Sequence, residues 1–151
     1  MLPDNVRDKI QFEFQSIEKE LAAVSTLFDD LSSREPDFIQ LRAIASSLHA
    51  FYNGVERILM VIIKSIDGEV PEGERWHSEL LNNTIQANPL RARIISDEMK
   101  LKLEQYLAFR HYFRHSYGFT LEWDLMRSLW LDLRTVYQGF LSEINAFLEK
   151  K

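Results

Sequence analysis

Apolar side chains recur at alternating spacings of three and four along most of this chain. The run Phe38, Leu41, Ala45, Leu48, Tyr52, Val55, Leu59, Ile62 and Ile66 is the longest. Such spacing lines one face of a helix that turns every 3.6 residues or so, and no extended strand reproduces it. A second edge, Ile44, Phe51 and Ile58, widens that face, which places this helix at the centre of the fold. The same periodicity joins Val6, Ile10, Phe14, Ile17, Leu21, Val24, Phe28 and Leu31, and predicts one continuous first helix capped by Asp4. It returns in Met99, Leu103, Tyr106, Leu107 and Phe109, a helix capped by Ser96 with Asp97 and Glu98 in its first turn. The last stripe is Met126, Leu129, Leu133, Val136, Phe140, Ile144 and Phe147, with Trp130, Tyr137 and Leu141 beside it.

The breaks fall between these stripes. Ser32-Ser33-Arg34-Glu35-Pro36 ends the first and Asp37 opens the second. Asp67 to Gly73 is a loop rich in turn residues. Trp76, Leu80, Leu81 and Ile85 then mark a short helix ending before Asn88-Pro89. Thr120 or Glu122 starts the last helix. The expected fold is all-α: an up-and-down four-helix bundle with one additional short helix, residues 1–151 forming a single domain. A coiled coil would suit the spacings, but the short loop and the widened second stripe favour a bundle. Five glycines and four prolines agree with long helices. With no cysteine there are no disulfides and no thiolate metal sites. The absence of an export signal and of a long apolar run gives a cytoplasmic expectation with no membrane span.

One stretch concentrates reactive groups: Arg110-His111-Tyr112-Phe113-Arg114-His115-Ser116-Tyr117. It is expected to close the third long helix, with Gly118 as the stop. Arg110 and Arg114 stack as i and i+4, as do His111 and His115. Basic residues at a helix C-terminus also suit its negative end, so a solvated basic helix end is the plain reading. The chemical reading is phosphodiester cleavage. A histidine moves protons near neutral pH, and an arginine holds a phosphate through paired hydrogen bonds. Little else is needed when a 2′-hydroxyl lies beside the phosphate, as it does in RNA. The net charge of −5 disfavours a broad nucleic-acid surface but leaves room for a local grip on a few phosphates.

Arg110, four residues, His115, Ser116 and Tyr117 resemble the R-x4-H-x-Y signature of the HepT toxins, members of the HEPN group of all-helical ribonucleases. The segment Arg75-Trp76-His77-Ser78-Glu79-Leu80-Leu81 resembles one found in a HepT-like subgroup. The resemblance implies a metal-independent endoribonuclease without cofactor, silenced in a toxin–antitoxin pair. Arg110 and His115 fall on the catalytic pair, with His111 and Arg114 in supporting positions. His111 stands where the family usually has asparagine or aspartate. Tyr117 falls on the tyrosine that a cognate nucleotidyltransferase antitoxin adenylylates. The resemblance also implies a homodimer that brings two motifs into one cleft. The alternative is a non-catalytic helical binding module partnering a nucleotidyltransferase, and a purely structural interaction protein is a third possibility.

Several other side chains admit a chemical reading. His77 beside Trp76 is expected to pack or cap, and His49 to lie on a helix surface or in a satisfied core site. Arg91 and Arg93 either extend a phosphate track or solvate a loop. His111 and His115 have the spacing of a zinc pair, but Tyr112 stands where zincins carry glutamate and no third ligand is marked. No glycine-rich phosphate loop or nucleophile elbow occurs in the sequence, and Glu-x-x-His appears once, at Glu74 to His77, rather than in the two copies that a di-iron bundle carries.

Overall fold

The computed structural model describes residues 2–31, 34–117 and 120–150. Six helices occur among them: α1 (Asp4–Ala23), α2 (Ser25–Asp30), α3 (Phe38–Asp67), α4 (Trp76–Thr84), α5 (Asp97–Arg114) and α6 (Trp123–Glu149). The fold is an all-α bundle, as the stripes predict.

Pairings across the bundle give the helix directions. Glu20 meets Ser47, Ile17 meets Gly54 and Glu13 meets Arg57, so α1 and α3 run antiparallel. His49 meets Phe113 and Asn53 meets Arg110, so α5 reverses again. Met99 faces Gly139 and Tyr106 donates to the Leu129 carbonyl, which sets α6 against α5. Arg7 donates to the Leu148 carbonyl and Phe14 packs on Phe140, closing α6 onto α1. The order is therefore up and down, with α3 touching every other long helix. Its inner apolar residues from Ile44 to Ile63 are fully enclosed, as its doubled apolar edge predicts. Among the described residues no helix is long and apolar enough to cross a membrane.

Three local expectations are corrected. The first stripe is not one helix. The chain breaks at Val24, whose φ of −113° and ψ of 15° leave helical geometry, and restarts as α2. The bundle thus has two short helices, α2 and α4, rather than one. The break allows α2 to lay Phe28 flat on Trp130, with ring centroids 4.0 Å apart and planes within 2°. The guanidinium of Arg134 lies over the Phe28 ring. Apolar spacing survives such a break because Phe28 and Leu31 remain buried. Secondly, Pro3 and not Asp4 is the N-cap of α1, and Asp4 is its first helical residue, where its charge suits the positive end. Thirdly, α5 stops at Arg114 with His115 as its C-cap. Ser116 and Tyr117 therefore follow the helix instead of closing it. Gly118, expected as the stop, lies outside the described residues, as do Ser32 and Ser33 of the first breaker.

At the helix starts that the sequence marks with Asp37 and Ser96, the geometry is explicit. The Gln40 N–H donates to Asp37 Oδ1 at 2.8 Å and the Asp37 N–H donates to Gln40 Oε1 at 3.0 Å, a capping box. The Met99 N–H donates to Ser96 Oγ, and Glu143 from α6 accepts both the Ser96 N–H and its hydroxyl. This ties the start of α5 to the last helix and sets the rotation of the whole element that carries Arg110.

Candidate active site

Helix α5 turns Arg110 inward, towards α3. Its side chain is 16% exposed, and its Nε donates to Asn53 Oδ1 at 3.3 Å and lies 3.9 Å from Glu56 Oε1. The two terminal nitrogens make no hydrogen bond among the described residues. Anchoring through Nε leaves available the fork that grips a phosphate. Arg110 lines an open cavity of about 700 Å³ with Asn53, Glu56, Met60 and Trp76, and Phe12 of α1 lines it as well. Three acidic and three basic residues surround it: Asp8, Glu13 and Glu56 against Lys9, Arg57 and Arg110. The cavity is not a broadly positive cleft, so attraction for an anion is concentrated at single cations.

The groups meeting Arg110 form a polar strip on α3. His49, Asn53 and Glu56 follow one another at spacings of four and three on a helix otherwise packed with apolar side chains. Asn53 Nδ2 lies 3.1 Å from His49 Nε2. Glu56, with its side chain only 7% exposed, accepts from His77 Nδ1 of α4 at 2.5 Å. The strip thus joins α3, α4 and α5. Neither Asn53 nor Glu56 was singled out in the sequence. The signal that could have found them is that spacing, because polar residues rarely interrupt a buried helix face without partners. His77 was expected to pack or cap. It does pack, its ring centroid 3.6 Å from that of Trp76, and it also binds a buried carboxylate.

Burial, and then the charges of Arg110, Arg114 and Arg57, hold His49 below its ordinary pKa. Its Nδ1 is enclosed without a partner among the described residues. The unfolded chain therefore binds the proton more readily than the folded one. The associated stability is complete above the unfolded pKa of 6.5 and is lost as pH falls towards the folded value. Chemical denaturation should show the protein losing more stability from about pH 7 to about pH 5 than His49→Gln does.

His115 is exposed at the C-cap of α5. Its ring centroid is 4.6 Å from that of His111, so the i, i+4 pair forms as the spacing predicts. No hydrogen bond, ion pair or ring contact joins His115 to Arg110 among the described residues. No group of three or more metal-ligating side chains occurs among them either. Arg114 is exposed beside His115. Tyr117 is 73% exposed, and its carbonyl accepts both the Thr120 N–H and the Thr120 hydroxyl. Tyr112 donates to the Thr120 carbonyl and Ser116 to the Tyr112 carbonyl, which folds this segment back on the helix end.

The two loop arginines have other work. The side chain of Arg91 is 3% exposed, grips Asp67 through two 3.0 Å hydrogen bonds and donates to the Asn83 and Gln86 carbonyls. It fastens the end of α4 to the end of α3. Arg93 pairs with Asp97. The idea that Arg91 extends a phosphate track is therefore corrected.

A family model described as HepT-like protein matches residues 43–151, from early α3 to the end of the chain. The chain belongs to the HepT-like family of the HEPN superfamily. The match includes Arg110, His115, Tyr117 and the whole α3–α4–α5 polar strip. Only the α1 wall of the cavity falls outside it. No curated protein and no solved structure matches the chain.

Proposed function

We propose that this HepT-like protein is a metal-independent endoribonuclease toxin, controlled by a cognate nucleotidyltransferase antitoxin. The observation that carries the reading is Arg110 with its terminal nitrogens uncommitted, at the wall of a cavity, on the helix whose end bears His115. Arg110 binds the scissile phosphate and stabilises the charge that builds on it. His115 removes the proton from the 2′-hydroxyl. The 2′-oxygen bonds to phosphorus as the bond to the 5′-oxygen breaks, leaving a 2′,3′-cyclic phosphate and a 5′-hydroxyl. His111 and Arg114 steady the backbone beside the reacting group. A homodimer would place a second motif in the same cleft. Tyr117 is the site of adenylylation, and its exposure fits access by a partner enzyme. AMP there would set an anionic phosphate two residues from His115, competing with the RNA backbone for the same cations.

The alternative is a non-catalytic module that partners a nucleotidyltransferase. It is favoured by the balanced charge of the cavity and by the net charge of −5.

Cleavage of RNA in EDTA, comparing the protein with Arg110→Ala and His115→Ala purified identically, separates the two. The expected outcome is cyclic-phosphate ends produced by the native chain alone. Equal cleavage by all three would indicate contaminating ribonuclease. No cleavage by any, with Tyr117 shown by mass spectrometry to carry no AMP, favours the binding module.

A further inference from the structure

A single imidazole does not readily serve as both base and acid in one transesterification. The 2′-hydroxyl gives up its proton at one position, while the departing 5′-oxygen needs one at another. A second histidine stands near Arg110 from a different element.

Glu56 is the junction. One carboxylate oxygen accepts from His77 Nδ1 at 2.5 Å and the other lies 3.9 Å from Arg110 Nε. Its neighbours Val55, Ile58 and Leu59 are fully buried. Packing alone would favour an apolar side chain at position 56, because a buried charge pair seldom outperforms a hydrophobic substitute of similar volume. A carboxylate accepts and does not donate, so the proton of the short bond resides on Nδ1. The ring is then oriented with Nε2 as the nitrogen able to exchange a proton. Trp76 packed against the ring restricts its plane. Nε2 has no hydrogen-bond partner among the described residues, and the side chain is 19% exposed. Trp76 and Glu56, the two side chains that the imidazole touches, both line the cavity that Arg110 lines.

We propose that His77 is a second proton carrier of this site, the general acid that protonates the departing 5′-oxygen, with Glu56 fixing its ring. The step balances within the RNA and the protein. The 2′-hydroxyl proton goes to His115, the P–O5′ electron pair goes to the 5′-oxygen, and a His77 ring that enters the step protonated on both nitrogens gives up its Nε2 proton to complete the 5′-hydroxyl while keeping the one on Nδ1. The inference rests on the ribonuclease reading above and gives each HepT-like subunit a proton carrier besides its R-x4-H motif.

The test compares RNA with uridine 3′-(4-nitrophenyl phosphate), whose leaving group departs without a proton. His77→Asn keeps an N–H able to reach Glu56 but has no titrating Nε2. It is expected to cleave RNA roughly 10²-fold more slowly than the native chain, and the nitrophenyl ester within about threefold of it. Arg110→Ala is expected to lose both reactions, since both need the phosphate held. His77→Asn as fast as the native chain on RNA overturns the role of His77 and leaves the ribonuclease reading standing. Equal losses on both substrates, with an unchanged melting temperature, also overturn it, because the ring would then act in positioning. No cleavage of either substrate by native protein free of AMP removes both proposals. Should His77→Asn fail to fold, Glu56→Gln decides. It retains an acceptor for Nδ1, and the same split between substrates is expected in smaller measure, whereas equal rates on each substrate would overturn the dyad.

Discussion

Arg110→Lys is expected to lose RNA cleavage nearly as completely as Arg110→Ala, a fall of about 10³-fold or more. The lysine keeps the positive charge, so a site that needed charge alone would retain much of its rate. Arg110, however, is held through Nε by Asn53 and set near Glu56, and its terminal nitrogens make no hydrogen bond among the described residues. A lysine has neither the Nε anchor nor the planar pair of donors, and its flexible ammonium would be drawn towards the Glu56 carboxylate. Single-turnover rates at saturating RNA provide the measurement. A lysine variant within about tenfold of the native rate would mean that the fork geometry contributes little to transition-state stabilisation.

The largest expected effect on stability is at Glu56. Glu56→Ala should destabilise the fold by about 3 kcal/mol, the lower end of the cost of breaking a buried pair, because the open cavity lets water reach part of the vacated site. For a chain of this length that is a fall of roughly 10 °C in melting temperature. The cause is what stays behind: the His77 Nδ1–H loses its acceptor and the Arg110 guanidinium its nearby opposite charge, and both side chains are mostly enclosed. Glu56→Gln should cost roughly 1 kcal/mol, since a carbonyl oxygen still accepts. Calorimetry of both variants with His77→Ala and the double variant would give the coupling energy between α3 and α4. Additive effects would show that Glu56 stabilises the bundle without His77.

These two residues illustrate different degrees of legibility. The interval from Arg110 to His115 was readable because a motif is a spacing, and spacing along one helix is set by the backbone hydrogen bonds of that helix. His115 and the His111–His115 pair were readable for the same reason. Glu56 and Asn53 were not, although they stand on the most clearly predicted helix in the chain. Nothing local distinguishes a polar residue that meets partners from one that faces water. Their meaning depends on α4 and α5 arriving at the same side of α3, and sequence separation carries no information about that. The reading of Arg91 failed likewise, because its partner Asp67 lies across a loop and against another helix end.

The helix ends show where local reasoning reaches its limit. Ser96 was legible as a cap and Asp37 as a helix start because a cap bonds to N–H groups two or three residues away. The break at Val24 left no mark in the apolar spacing, since α2 buries Phe28 and Leu31 on the same side as an unbroken helix would. It became visible only with Trp130 of α6 in place, whose ring gives Phe28 a flat surface to stack on.

The sequence by itself determined the helices, their inward faces, the all-α class, the motif and the family resemblance, because each depends on intervals of a few residues within one element. Tertiary structure alone decided that Arg110 turns inward while His115 stays at the surface, and that His77 shares a carboxylate with Arg110. It also decided that the cavity beside them is balanced in charge. These are contacts between elements, fixed by how the ridges of one helix seat against another, and they follow from packing the whole bundle at once.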